Sequence, residues 1–168
     1  DDLENLDYDL AIVSPGWKPS HPLVQALQNK QIRIANEVDI AWHFRNLHLP
    51  NQKWVAITGT NGKTTSASFV NQLLKSTGKK CALLGTINLE INDQEFAAER
   101  TTPESVDLQS FAAAALEQGV THLVMEVSSH ALALDRVIGC HFKVSAFTNL
   151  TQDHLDFHGN MENYLEYN

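Results

Sequence analysis

The sequence predicts an α/β fold: a mainly parallel sheet with helices on both faces. Short apolar runs of strand length alternate with longer segments whose apolar residues recur at helical spacing. Gly, Pro and Asn-Asp clusters punctuate the alternation. From Trp54 onward the polar clusters fall just after expected strands, where ligands gather in open parallel sheets.

In chain order, Tyr8–Val13 reads as a strand ended by the turn Ser14-Pro15-Gly16. Pro22–Asn29 reads as a helix with Leu23, Ala26 and Leu27 on one face, Ile32–Ala35 as a strand and Glu37–Arg45 as a second helix. These residues make a small α/β unit, and Asn46–Lys53, with Pro50, is the natural linker after it. Trp54–Ile57 is then a buried strand. Ser66–Ser76 follows as a helix that places Phe69, Val70, Leu73 and Leu74 on one face and stops at Gly78. Cys81–Leu84 is a strand, and Thr86–Phe96 a hairpin turning at Asn92-Asp93. Thr102-Pro103 starts a helix, with Thr as cap and Pro in the first position. That helix sends Leu108, Phe111, Ala112, Ala115 and Leu116 to the core and ends at Gly119. His122–Val127 and Lys143–Phe147 are two further apolar strands.

A chain of 168 residues can form one domain with a substantial core, or one domain and part of another. The net charge of −8 argues against a nucleic-acid surface, which needs clustered Lys and Arg. Two cysteines, Cys81 and Cys140, are too few for a disulfide framework or a thiolate metal site and read as free thiols. No apolar run approaches the ~20 residues of a membrane span, and no signal peptide opens the chain. The expectation is a cytoplasmic monomer that binds neither nucleic acid nor membrane. Starting at Asp1 without methionine and stopping at Asn168 inside an expected helix, the chain reads as a fragment.

The segment Thr58-Gly59-Thr60-Asn61-Gly62-Lys63-Thr64-Thr65 joins a strand to a helix. Gly59 and Gly62 let the backbone turn sharply and approach an anion with no Cβ in the way. Free N–H groups at the helix start then face phosphates, and the helix dipole favours their charge. Lys63 can reach the outer phosphates, and the Thr64 hydroxyl can ligate a bridging Mg²⁺. This is a grip for a nucleoside triphosphate, of a shorter type than the strict phosphate loop, because Ile57 stands where that pattern has glycine.

Three polar clusters follow later strands. Glu126, ending an apolar strand, is placed to hold Mg²⁺, or else to cap a helix or pair with Arg136. His154 and His158 are four residues apart. They read as half a zinc site, as holders of Mg²⁺ or Mn²⁺, or as satisfied turn histidines. Thr101 and Thr102 form either an anion cradle or a simple cap, and Arg136 either clamps a carboxylate or is a surface charge.

Thr58–Thr65, Arg100-Thr101-Thr102-Pro103-Glu104, Met125–Leu132, Arg136 and Phe147–Gly159 together resemble the central ATP-binding domain of the Mur ligases. Within them the resemblance is to the MurE branch, which adds the third amino acid to a UDP-N-acetylmuramoyl dipeptide. It covers roughly residues 54–168 and implies a phosphate-loop NTPase-like domain, incomplete here. Residues 1–49 are more similar to the end of the Rossmann-like, UDP-binding first domain of the MurD branch, through Ser14–Pro19, His21-Pro22-Leu23 and Glu37–Trp42.

The resemblance implies ATP-dependent amide formation through an acyl phosphate, joining diaminopimelate or lysine to UDP-N-acetylmuramoyl-L-alanyl-D-glutamate. A MurD-type addition of D-glutamate and a nucleotide-binding fragment without catalysis are its alternatives. Carried over, Gly59, Thr60, Asn61, Gly62, Lys63, Thr64 and Thr65 bind ATP. Thr64, Glu126 and His154 hold Mg²⁺, and Lys63, Glu126 and His154 act in catalysis. Thr101, Thr102, Ser128 and Arg136 contact the UDP-N-acetylmuramoyl peptide. The chain departs from the family at Leu134, where some MurE proteins have glutamine. It departs again at Asn168, where the family has the carbamylated lysine that completes the second metal site.

Overall fold

The computed structural model describes residues 9–13, 19–35, 39–40, 52–98 and 100–167. The expected turn at 14–16, most of the linker at 46–53 and the Asn168 position lie outside them. Of the expected helix 37–45, only Asp39 and Ile40 are described, and both are helical.

At the N-terminal side, β1 (Leu10–Ile12) and β2 (Arg33–Ala35) pair in parallel through α1 (Pro22–Asn29). The α1 helix opens as the sequence dictates, with Pro22 in its first turn and His21 accepting the Leu23 N–H. Val24 and Leu27 are its buried residues.

The rest forms one six-stranded sheet. Its strands are β3 (Lys53–Thr58), β4 (Cys81–Leu84), β5 (Asn88–Ile91), β6 (Gln94–Ala97), β7 (His122–Glu126) and β8 (Val144–Phe147). The order is β6-β5-β4-β7-β3-β8. The four strands β4, β7, β3 and β8 run parallel, and the β5–β6 hairpin adds an antiparallel edge turning at Asn92-Asp93. The helices are α2 (Lys63–Ser76), α3 (Ser105–Glu117), α4 (Ser129–Ala133), α5 (Leu155–His158) and α6 (Met161–Glu166).

Alternation along the strands divides the core in two. Trp54, Ala56, Ala82, Leu84, Leu123 and Met125 face α3 and α4, meeting Leu108, Ala112, Ala115 and Ala131. Ile57, Leu83 and Val124 face α2, meeting Ala67, Val70 and Leu74. The expected two-sided cover is present. By the same alternation Glu126 falls on the α2 face with Val124, which aims it at the start of α2.

Three expectations are corrected. The helix after the glycine loop begins at Lys63, not Ser66, because Gly62 ends the turn and the polar residues Lys63-Thr64-Thr65 form its first turn. Its inward face is Ala67, Val70, Asn71 and Leu74, at i, i+3, i+4 and i+7. Phe69 and Leu73 lie outside that stripe and are each 68% exposed. Finally, α3 starts at Ser105 with Glu104 as its N-cap residue, so Thr102 does not cap it. The Thr102 hydroxyl instead donates to Glu126 O at 3.0 Å and accepts from Ser128 N at 3.1 Å.

Candidate functional site

The C-terminal ends of β3, β4, β7 and β8 converge on the loop between β3 and α2. Gly59 takes φ +118°, and a Cβ there would press into Thr148 Oγ1 and lie 2.9 Å from Asn149 O. Gly62 has open space around it but φ +85°, so its constraint is backbone conformation alone. The N-cap residue of α2 is Gly62, which has no side chain to cap it, and among the described residues no hydroxyl or carboxylate takes the first-turn N–H groups in its place.

The segment after β8 holds the loop in shape. Thr60 N donates to Asn149 O at 2.9 Å. Asn149 also grips Asn61 twice, accepting from its N–H at 3.1 Å and donating Nδ2 to its carbonyl at 2.9 Å. Thr148 Oγ1 lies 2.7 Å from Asn61 O, and Asn61 Nδ2 donates to Thr151 Oγ1 at 3.2 Å. Lys63 Nζ folds back onto the loop, donating to Gly59 O at 2.7 Å and Thr60 O at 3.2 Å. Burial lowers its pKa, while Glu126 and Asp153 act in the opposite direction. Thr65 is exposed in the first turn of α2.

Glu126 is 1% exposed at the end of β7. Its Oε2 accepts from Thr64 Oγ1 and Thr86 Oγ1, each at 2.9 Å, and its Oε1 from Thr86 N at 2.9 Å. These donors are all neutral, and Glu126 neither caps a helix nor pairs with Arg136. A buried carboxylate beside a threonine hydroxyl, both hard oxygen donors, suits Mg²⁺. A single hydroxyl proton serves each threonine. If Thr86 gives its proton to Glu126, Thr101 must be the donor in the 3.1 Å contact between Thr86 Oγ1 and Thr101 Oγ1.

Arg136 forms an ion pair with Glu104 at 2.9 Å and reaches Thr102 O at 3.4 Å. Its buried Nε has no partner among the described residues. Arg100 also pairs with Glu104. Ser128 caps α4, accepting from Ala131 N at 3.2 Å. Thr102 is 1% exposed and committed to the fold in both directions, whereas Thr101 is half-buried.

His154 sits just before α5 with φ +50°, a conformation uncommon for a residue with a side chain. Its ring stands 4.7 Å from that of His130 and 3.6 Å from the Asp153 carboxylate. His158 is buried, with Nε2 3.0 Å from Ser129 Oγ and its ring 5.5 Å from that of His130. The two histidines therefore do not present one metal-binding face, and no group of three His, Cys, Asp or Glu suited to a metal occurs among the described residues. His154 shares no hydrogen bond with Glu126 or Thr64.

Sequence reasoning overlooked Thr86 and Tyr164. Thr86 follows Gly85 immediately after β4, and that placement was its available signal. A Cβ at Gly85 would come 3.0 Å from Glu126 Oε1, so the small residue makes room for the carboxylate. Tyr164, in α6, puts its hydroxyl 2.9 Å from Thr60 Oγ1 across 104 residues of chain, which no local pattern reveals.

Residues 57–168 match the family model described as Mur ligase middle domain. The UDP-N-acetylmuramoyl-L-alanyl-D-glutamate–2,6-diaminopimelate ligase of Geobacillus kaustophilus is 51% identical over 110 residues, covering 66% of this chain and 22% of that protein. The ligase of the same description from Clostridium botulinum is 53% identical over 113 residues, covering 67% and 23%. The chain thus spans under a quarter of the length of these curated relatives. A solved structure of a UDP-N-acetylmuramoyl-L-alanyl-D-glutamate–2,6-diaminopimelate ligase covers 95% of this chain and 39% of its own, with 24% identity and a TM-score of 0.66. That likeness shows the fold.

Proposed function

The chain belongs to the Mur ligase family by its middle domain, and from that premise we propose that it serves ATP-dependent amide formation in peptidoglycan precursor synthesis. The acceptor is UDP-N-acetylmuramoyl-L-alanyl-D-glutamate and the incoming amino acid is diaminopimelate. Relatives about half identical to this chain carry that reaction in their names. The observation that carries the reading is the hydrogen bond between Thr64 Oγ1 and the buried Glu126 carboxylate, at the foot of a glycine loop whose helix start has no side-chain cap.

In this reading the β3–α2 turn is a phosphate loop. Gly59–Thr65 surround the triphosphate, and Lys63 leaves Gly59 O and Thr60 O for its outer phosphates. Thr64 and Glu126 would hold Mg²⁺, with His154 as a further candidate ligand. When bound, the cation neutralises charge on the transferring phosphoryl group. The acceptor carboxylate attacks the γ-phosphorus and ADP leaves; the amine then attacks the acyl carbon and phosphate leaves. The protein's part is positioning and charge stabilisation. Thr101, Ser128 and Arg136 face the acceptor, Arg136 by exchanging Glu104 for a substrate carboxylate. Thr102 supports that end through its bonds to Glu126 O and Ser128 N.

Residues 1–49 belong to a separate UDP-binding unit and 54–168 to the ATP-binding one. No described helix is long and apolar enough to cross a membrane. The protein works as a cytoplasmic monomer.

Titrating Mg·ATP into the chain and into Lys63→Ala tests the site. The substitution should lower affinity at least roughly tenfold, because a cation on the outer phosphates is lost. Equal affinities would overturn the assignment.

A further inference from the structure

We propose that Tyr164 is a positioning residue for the nucleotide loop, fixing Thr60 relative to the segment that carries His154. Thr60 Oγ1 donates its single proton to Thr151 O at 3.0 Å and accepts from Thr151 N at 2.9 Å. Its third contact, 2.9 Å from Tyr164 Oη, is therefore a bond in which Tyr164 donates. That bond completes the ring of partners around the Thr60 hydroxyl. The Thr60 backbone is tied as well, its N–H to Asn149 O and its carbonyl to Lys63 Nζ. Thr60, like Asn61, is thus a residue through which the loop is held from outside.

Tyr164 is suited to hold it. It is 1% exposed, and α6 is a short helix capped by Asn160, whose side chain accepts from Asn163 N at 2.8 Å. Asn163 in turn donates Nδ2 to His158 O at 3.0 Å, which fixes α6 against α5. The Tyr164 ring packs edge-on toward His154 at 6.4 Å and tilted against His158 at 5.2 Å. One rigid side chain therefore touches the loop at its hydroxyl and the His154 segment with its ring. A phenol suits this task because it carries few rotatable bonds and a directional donor at its tip. Removing the hydroxyl leaves Thr60 Oγ1 with both Thr151 bonds, while the loop loses its tie to α6.

The proposal rests on the nucleotide-binding reading of Gly59–Thr65. Its test is titration of the 168-residue chain with Mg·ATP, comparing wild type, Tyr164→Phe, Thr60→Val, their double variant and Lys63→Ala, with melting temperatures measured beside. Tyr164→Phe should bind roughly fivefold more weakly at an unchanged melting temperature. In the Thr60→Val background the same change should have no further effect. Wild-type affinity in Tyr164→Phe, with binding lost in Lys63→Ala, overturns the role of Tyr164 and leaves the nucleotide site standing. Undiminished binding in Lys63→Ala overturns the nucleotide site and this inference with it. If Tyr164→Phe also lowers the melting temperature, the double variant decides. A non-additive loss of affinity supports the proposal, and additive losses overturn it.

Discussion

The loop Gly59–Thr65 and the cluster around Arg136 both lie beyond the C-terminal ends of parallel strands in one sheet, yet different groups hold them. The loop is gripped by its own backbone atoms: Thr60 N bonds to Asn149 O, and Asn61 N and Asn61 O to the Asn149 side-chain amide. Around Arg136 the ion pairs are between side chains, Arg136 and Arg100 converging on the half-exposed Glu104, with one longer bond from Arg136 to Thr102 O. A site held through its own backbone keeps its shape as long as the outside partners, Asn149 first among them, stay in place. An arginine held by an exposed carboxylate can exchange that partner for another at little cost. The comparison teaches that the phosphate end is preformed and the acceptor end is provisional.

The sharpest way to break the comparison is at the two loop glycines. Gly59→Ala combines a forbidden φ with a collision against Thr148 and Asn149, and should cost about 3 kcal/mol or more of stability in denaturant unfolding, with Mg·ATP binding lost. Gly62→Ala meets nothing within 4 Å and carries only the left-handed penalty, about 1–2 kcal/mol. Equal effects would show that the close approach of Asn149 does not shape the loop.

Glu126→Gln comes next. Its amide can still accept from Thr86 N, with its NH₂ toward the two threonine hydroxyls, so the fold should persist. Mg²⁺ dependence of ATP binding should fall roughly tenfold or more, read by titrating ATP with and without the cation. A smaller effect belongs to Arg136→Ala, within about 1 kcal/mol of wild-type stability. It should leave Mg·ATP affinity unchanged while weakening the acceptor peptide, and a parallel loss of both would erase the distinction between the two ends.

The mildest probe is pH. Burial, then the neighbouring His154 charge, lowers the pKa of His158, with Asp156 opposing. Because the folded-state value lies below the unfolded one near 6.5, the unfolded chain binds more protons as acid is added. Stability is therefore full above about pH 6.5 and falls as pH drops toward the folded value. Melting temperatures at pH 5.5 and 7.5 should differ less in His158→Gln than in wild type.

Much of this was legible in sequence because it is local. The strand–glycine–helix order announced the loop. Short apolar runs marked the strands, and the Asn92-Asp93 turn lies where the pattern placed it. The helix after the loop was misjudged at Phe69 and Leu73, since apolar identity cannot say which of two stripes meets the sheet. Thr102 was read as a cap for a related reason: the hydroxyl had a plausible local partner and took a distant one.

By itself, then, the sequence determined the α/β alternation, the glycines that permit the turn at Gly59–Gly62, and the residue types able to hold phosphate and Mg²⁺. These follow from backbone sterics and short-range periodicity, which act within a few residues. Only the tertiary structure decided that Thr86 completes the shell of Glu126, that His158 is buried against Ser129 while His154 stays half exposed, and that Tyr164 reaches Thr60. Those pairings depend on strand order and on proton accounting between hydroxyls. Both are set by which chain segments pack side by side, not by their spacing along the chain.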